Sequence, residues 1–106
     1  MPNYVFAYHG GRKPDTPEEG AAHMAKWKAW LEGLGEAVVN PGTPLGMSKT
    51  VSAEGVADGG GPNPMSGFSI LKAENMDAAL EMAKACPFLE METATIEVAE
   101  AFDIQM

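Results

Sequence analysis

Residues 16–34 read TPEEGAAHMAKWKAWLEGL and predict one amphipathic helix. Thr16 is its N-cap, Pro17 takes the first helical position and Glu19 completes a capping box. At about 100° per residue, the larger side chains fall on a single arc roughly 120° wide. That arc comprises Met24, Trp27, Trp30, Leu31, Leu34 and His23. His23 therefore interrupts a surface that otherwise favours apolar packing.

The segments on either side of this helix predict strands and a second helix. Apolar and β-branched patterns indicate strands at residues 3–8, 37–39, 68–72 and 94–100. Asn75 is a good N-cap for a second helix at residues 76–85, and Pro87 prevents that helix from continuing.

The segment from Gly42 to Gly67 separates the two halves of the chain. Asn40-Pro41-Gly42 should end the second strand, and residues 49–52 and 56–57 predict a small hairpin. Residues 58–67, DGGGPNPMSG, should contain no regular element, because they hold repeated glycines and prolines. The pattern leaves open the path of this segment, which decides what lines any cleft.

The order of elements is strand–helix–strand, an insertion with a short hairpin, and strand–helix–strand again. Two right-handed crossover units of this kind interleave into a four-stranded antiparallel sheet with both helices on one face. We therefore predict a single domain over residues 1–106, of the α+β class, with a ferredoxin-like βαββαβ fold. The other sheet face would be exposed and apolar, which predicts a homodimer through that face, burying on the order of 1,600 Å².

Composition excludes several classes of function. The net charge of −8 and the scattered basic residues argue against nucleic-acid binding. Apolar runs are too short to span a bilayer and the N-terminus lacks a signal-peptide pattern, so we predict no membrane association. The single cysteine, Cys86, is consistent with the reducing cytoplasm.

His23 is the first candidate for chemistry, because imidazole exchanges protons near neutral pH. The alternative is a core histidine packed between Trp27 and Trp30. Asp58 would be its acidic partner if the glycine-rich loop folds over the helix. Trp27 and Trp30 would stack a flat ligand, or simply pack in the core.

His9 precedes two glycines, where a ligand can approach the backbone closely; the alternative is an exposed loop histidine. Two histidines without a spaced third ligand make a weak zinc site, so no metal is predicted. Asp58 to Gly61 lacks the lysine and the following helix of a phosphate loop, and no other cofactor is predicted. Cys86 at a helix C-terminus favours an inert packed thiol.

Several stretches together resemble the YCII-related family of the dimeric α+β barrel superfamily, which includes proteins named for an Asp-Gly-Pro-Phe motif. They are NYVFAYHGG, the helix with His23, WLEGLGEAVVNPGTPLG, the Asp58-Gly59 loop and ATIEVAEAF. The resemblance implies a dimeric barrel with a cleft between the sheet and the first helix. It also implies a small cyclic or lactone-like substrate, since some relatives in the wider superfamily act on such molecules, including elimination of halide from a chlorinated lactone.

The family pattern transfers to only a few positions. Its helix histidine matches His23, but the stretch where an acidic partner is expected reads Cys86-Pro87-Phe88. Of the family's Asp-Gly-Pro-Phe motif, Asp58-Gly59 is present, but Gly60-Gly61 separates it from Pro62. Two hypotheses follow: His-assisted isomerisation or elimination, and a non-catalytic dimer module that binds a small ligand or a protein.

Overall fold

A computed structural model describes residues 1–11 and 15–102 of the chain. Within these residues the strands are β1 (Asn3–His9), β2 (Val38–Pro44), β3 (Lys49–Ser52), β4 (Gly55–Asp58), β5 (Met65–Lys72) and β6 (Thr95–Ala101). The α-helices are α1 (Pro17–Leu34) and α2 (Met76–Lys84), and short 3-10 helices follow them at Gly35–Ala37 and Pro87–Glu90.

The main sheet has the strand order β2-β5-β1-β6, and each neighbouring pair is antiparallel. The first and last β–α–β units therefore interleave, with β1 and β5 at the centre. This arrangement confirms the predicted ferredoxin-like α+β fold. The strands β3 and β4 pair only with each other and form the separate hairpin that the sequence predicts.

The core lies between the sheet and the two helices. Tyr4, Phe6 and Tyr8 of β1 alternate onto this side and are at most 3% exposed. Large or small apolar side chains from both helices cover them, namely Trp27, Trp30, Leu34, Ala79, Met82 and Ala83. Strand periodicity thus sets which half of β1 is buried.

The opposite face of the sheet carries no helix in the described part of the chain. Val5 pairs with Ile70, and Ala7 pairs with Phe68, so these four apolar residues share that face. All four are half-buried. We call this surface the open face.

The first helix begins as the sequence predicts. The Thr16 side chain accepts a hydrogen bond from the Glu19 amide, with a distance of 3.1 Å. Glu19 reaches back to the amide of Asp15, one residue before the cap. In α2, the Asn75 side chain accepts from the Ala78 amide at 2.9 Å. Both caps satisfy amides that have no partner within the helix.

Two predictions in the central segment are wrong at their boundaries. β2 does not stop at Asn40-Pro41-Gly42 but continues to Pro44, with register shifts on both sides of Asn40. An edge strand tolerates proline at such irregularities, because the missing N–H faces away from the ladder. Similarly, Asp58 belongs to β4 and Gly67 to β5, so only residues between these strands are irregular.

Among the helices of the described residues, none combines the length and the hydropathy that crossing a membrane requires.

Candidate functional site

A half-open cleft of about 580 Å³ lies between α1 and the sheet, at the end where β1 and β2 finish. Its volume is in the range of small-molecule sites. Most lining side chains are apolar or aromatic: Tyr8, Met24, Trp27, Pro41, Pro44, Leu45, Phe88 and Met91. The polar side chains in the lining are His23, Thr43 and Ser66.

An aromatic cluster forms the floor of the cleft. The Tyr8 ring meets the Trp27 ring nearly edge-on, with centroids 5.3 Å apart and planes at 73°. It also packs against Phe88, with centroids 5.1 Å apart. Such tilted pairs are favourable ring geometries, so the floor is a firm apolar surface suited to a flat ring.

Glycines shape two walls of the cleft. Gly11 has a φ of +80°, and a Cβ built there would lie 2.9 Å from the Phe88 ring. Gly42 has a φ of +74°, and a Cβ there would overlap the carbonyl group of Phe68. Both positions need a residue without a side chain, and the backbone consequently borders the cavity directly.

A buried hydrogen-bond chain lies beneath the floor. The Tyr8 hydroxyl donates to Ser69 Oγ at 2.8 Å, and Ser69 Oγ donates to the Pro41 carbonyl at 2.8 Å. Pro41 lies within the irregular part of β2, where its carbonyl is available to a side chain. Burial raises the pKa of the Tyr8 phenol well above its usual range, so this hydroxyl stays protonated.

His23 is the one imidazole in the described lining. It projects from the middle of α1 into the cleft and is half-exposed. No hydrogen bond or ion pair joins it to another described residue, and no carboxylate belongs to the described lining. Its ring nitrogens are therefore available to a ligand. When His23 accepts a proton, no carboxylate of the described lining lies beside the ring.

The two tryptophan rings pack against each other, with centroids 5.2 Å apart and planes at 47°, but they have different surroundings. Trp27 lines the cleft, whereas Trp30 packs on the core and donates from Nε1 to the Met82 carbonyl of α2 at 3.2 Å. The roles of both in ligand binding stay predictions. Their positions favour Trp27 as the ligand-facing ring.

His9 and Asp58 lie away from the cleft. His9 is buried, on the open face, with Nε2 3.1 Å from Glu97 Oε1 and Nδ1 3.0 Å from the Asn63 carbonyl oxygen. Asp58 is exposed and pairs with Lys49 across the hairpin, with 2.8 Å between Nζ and Oδ1. The structure thus does not bring Asp58 to His23, and their proposed site roles stay predictions.

Sequence reasoning missed several residues of the cleft. Phe88 and Met91 follow α2 and reach the cleft through the 3-10 helix at Pro87–Glu90. The signal for this turn was Pro87, which ends the helix and redirects the chain. Cys86, just before it, is buried, and burial raises the pKa of its thiol to about 11. It packs in the core, and its low reactivity stays a prediction.

A metal site is absent from the residues that the structure describes, where three metal-binding side chains do not meet anywhere. His9 and His23 are on opposite sides of the sheet.

The fold and the cleft define a small α+β protein with a ligand-sized apolar cavity beside its first helix. The family model of the YCII-related domain matches residues 4–103, and the chain belongs to that family. No curated protein matches the sequence.

A solved structure of similar fold is 5-chloro-2-hydroxyhydroquinone dehydrochlorinase (TftG) from Burkholderia phenoliruptrix AC1100, in complex with 2,5-dihydroxybenzoquinone. The similarity has a TM-score of 0.50 and 20% sequence identity, and it covers 88% of this chain and 90% of that chain. At this identity the likeness concerns the fold.

Proposed function

We propose that the cleft binds a small, flat cyclic organic molecule, and that His23 transfers a proton during its isomerisation or elimination. The observation that carries this proposal is the position of His23, an unpaired imidazole among the described residues at the wall of an aromatic cleft. An apolar cavity with a few polar groups is the usual form of a small-molecule site.

Each part of the cleft has a distinct role in this proposal. Trp27 and Tyr8 provide the ring faces and edges against which a planar substrate packs. His23 accepts a proton from the substrate, or donates one to it, at the open side of the ring. Ser66 Oγ and Thr43 Oγ1 donate to the carbonyls of Tyr8 and Pro44, so their oxygens remain to accept hydrogen bonds from substrate hydroxyl groups.

Binding can be tested with 2,5-dihydroxybenzoquinone, chosen because a protein of similar fold was solved in complex with it. Isothermal titration calorimetry should show a saturable interaction, weakened severalfold in Trp27→Phe. Trp30→Phe is the matched control and should bind like the wild type, because Trp30 is outside the cleft. Equal weakening in both variants would contradict the proposed site.

Turnover can be tested with 5-chloro-2-hydroxyhydroquinone, from which the loss of HCl leaves a hydroxybenzoquinone. His23→Asn should lower the rate of chloride release by roughly 10²- to 10⁴-fold, the usual contribution of a general acid or base. Its melting temperature should match that of the wild type, because the imidazole makes no described hydrogen bond. A large loss of stability would instead indicate a structural histidine.

A second function is a binding module without turnover, which the missing carboxylate in the described lining favours. This function predicts binding of the quinone with no chloride release by the wild type. Asp58→Asn tests instead whether Asp58 is the acidic partner of His23 in a catalytic protein. It should leave turnover unchanged if His23 acts without Asp58, and lower turnover if Asp58 reaches the site by another route.

We also propose that the protein is a homodimer that assembles through the open face, in the cytoplasm. Its surface area is 7465 Å², against about 5,700 Å² expected for a compact monomer of 11.2 kDa. Its radius of gyration is 15.0 Å, against about 13 Å expected. The excess area is larger than a standard interface removes from each partner. Light scattering that gives a monomer at micromolar concentration would contradict the homodimer.

A further inference from the structure

The hairpin of β3 and β4, residues 49–58, extends from the protein as an isolated ribbon, which we call the arm. All eight strand residues of the arm are exposed, and neither strand pairs with the main sheet. A two-stranded hairpin is marginally stable in water unless another surface covers it. The arm therefore needs a partner surface.

The two faces of the arm differ in character. Val51 lies directly opposite Val56, and these side chains are 77% and 66% exposed. The Lys49–Asp58 ion pair flanks them on the same face, because strand residues alternate. The other face carries only small or polar residues, such as Thr50 opposite Ala57. One face is thus suited to apolar contact and the other to water.

The apolar face of the arm continues towards the main sheet. The Leu45 amide donates to the Ser66 carbonyl and the Gly59 amide to the Ser48 carbonyl, so the arm prolongs the β2–β5 pair. Exposed apolar side chains lie at this junction: Leu45 and Met47 in the segment before β3, and Met65 at the start of β5. β5 also carries Phe68 and Ile70 of the open face, so the arm begins at the end of a strand that belongs to the proposed dimer surface.

The shape of the protein shows where the arm extends. The principal dimensions are 45 × 43 × 19 Å, and the smallest corresponds to a sheet with one layer of helices. The arm therefore extends in the plane of the sheet and does not fold back over its own helices. In a dimer that stacks two open faces, an arm in this plane borders the other protomer.

We propose that the arm is a dimerisation element whose Val51–Val56 face packs on a second copy of this chain. The inference rests on the homodimer proposed above and adds a contact that the open face does not supply. The partner of the arm is a second copy of the chain, for two reasons. The surface area exceeds that of a compact monomer by more than a standard interface removes from one partner. The arm also begins next to β5, which carries part of the open face.

The test compares Val51→Thr/Val56→Thr with the wild type by sedimentation velocity over a dilution series. Threonine keeps the shape and the β-branching of valine but adds a hydroxyl, so the hairpin is retained while its apolar contact weakens. The dimer dissociation constant should rise roughly tenfold or more, since two buried valine contacts are lost. Ala57→Thr, on the other face of the arm, is the matched control and should leave the constant unchanged.

The outcomes distinguish this inference from the homodimer itself. A wild-type dimer whose dissociation constant is the same in the double variant overturns the arm contact and leaves the open-face dimer standing. A wild-type monomer overturns both. Amide hydrogen exchange on the wild type gives a second readout that needs no variant. Protection of residues 50–57 should fall as the protein is diluted, and concentration-independent exchange there would also overturn the proposal.

Discussion

The Tyr8 hydroxyl donates a 2.8 Å hydrogen bond to Ser69 Oγ beneath the floor of the cleft. Ser69 in turn donates to the Pro41 carbonyl, so one serine joins β1, β5 and β2 on the side of the sheet that faces the helices. The buried polar side chains of the described region all have partners. These two hydrogen bonds hold the irregular part of β2, which forms one wall of the cleft, against β5.

Breaking this hydrogen-bond chain at its Tyr8 end and at its central Ser69 should cost different amounts. Tyr8→Phe removes one donor and should lower the free energy of unfolding by about 1 kcal/mol. Ser69→Ala leaves the Tyr8 hydroxyl and the Pro41 carbonyl without their partner, and should cost about 2 kcal/mol. The double variant should cost less than the sum of the two, as urea denaturation can measure. Additive losses would contradict a coupled chain.

Stability should decrease in alkaline solution for a defined reason. Burial raises the pKa of the Cys86 thiol to about 11, from an ordinary value of 9.0, and also raises the pKa of the Tyr8 phenol. As the pH rises, the unfolded chain therefore loses these protons at a lower pH than the folded protein does. The Cys86 thiol leaves the free energy of unfolding unchanged below pH about 9 and lowers it between pH about 9 and pH about 11. Tyr8 adds a further loss above pH about 10.

The matched variant for this prediction is Cys86→Ala. Urea denaturation across this pH range should give a shallower decline than in the wild type, because the raised pKa of the Cys86 thiol no longer contributes. The native thiol should also react slowly with a disulfide reagent at neutral pH and rapidly after unfolding. Parallel pH curves, or rapid labelling of the native protein, would contradict the buried neutral thiol.

The two tryptophans should separate stability from binding. Trp30→Phe loses the hydrogen bond from Nε1 to the Met82 carbonyl, and should lower the free energy of unfolding by about 1 kcal/mol without changing quinone affinity. Trp27→Phe should weaken quinone binding more than it lowers the free energy of unfolding, since its ring lines the cleft. Thermal denaturation and calorimetry measure the two quantities. The account fails here if Trp30→Phe weakens binding more than Trp27→Phe does.

The wall at Gly42 should tolerate no side chain. Gly42→Ala places a Cβ against the Phe68 carbonyl at a φ of +74°, so it should destabilise the protein by several kcal/mol or prevent folding. Gly46→Ala is the control, because a Cβ there has open space around it. Circular dichroism and denaturation compare the two variants. Similar stability in both would show that β2 follows another path.

Local patterns predicted most of the architecture. The capping box at Thr16 and the N-cap at Asn75 identified both helices, and the β-prone residues 3–8 identified β1. The helix boundaries were close to those observed, because caps and a proline act over one turn. The path of β2 was missed, since its proline and glycine read as a stop, while pairing with β5 keeps the segment in the sheet.

The site was harder to predict than the fold. The position of His23 followed from helix periodicity, which alone places it on the side facing the sheet. Asp58 was paired with it on sequence proximity to a flexible loop, whereas the hairpin register brings Asp58 to Lys49. Pro87 signals the turn after α2, but the contact of Phe88 with the cleft is tertiary and the local sequence does not specify it.

The most direct test of the central claim, that the cleft beside α1 is the ligand site, is a map of amide chemical-shift changes on titration with 2,5-dihydroxybenzoquinone. The account predicts the largest changes at Gly10, Gly11, Trp27 and Phe88, around the imidazole of His23. The same titration of His23→Asn should keep the pattern but reduce the affinity. Changes confined to the open face or to the arm, with the cleft unaffected, would contradict the account.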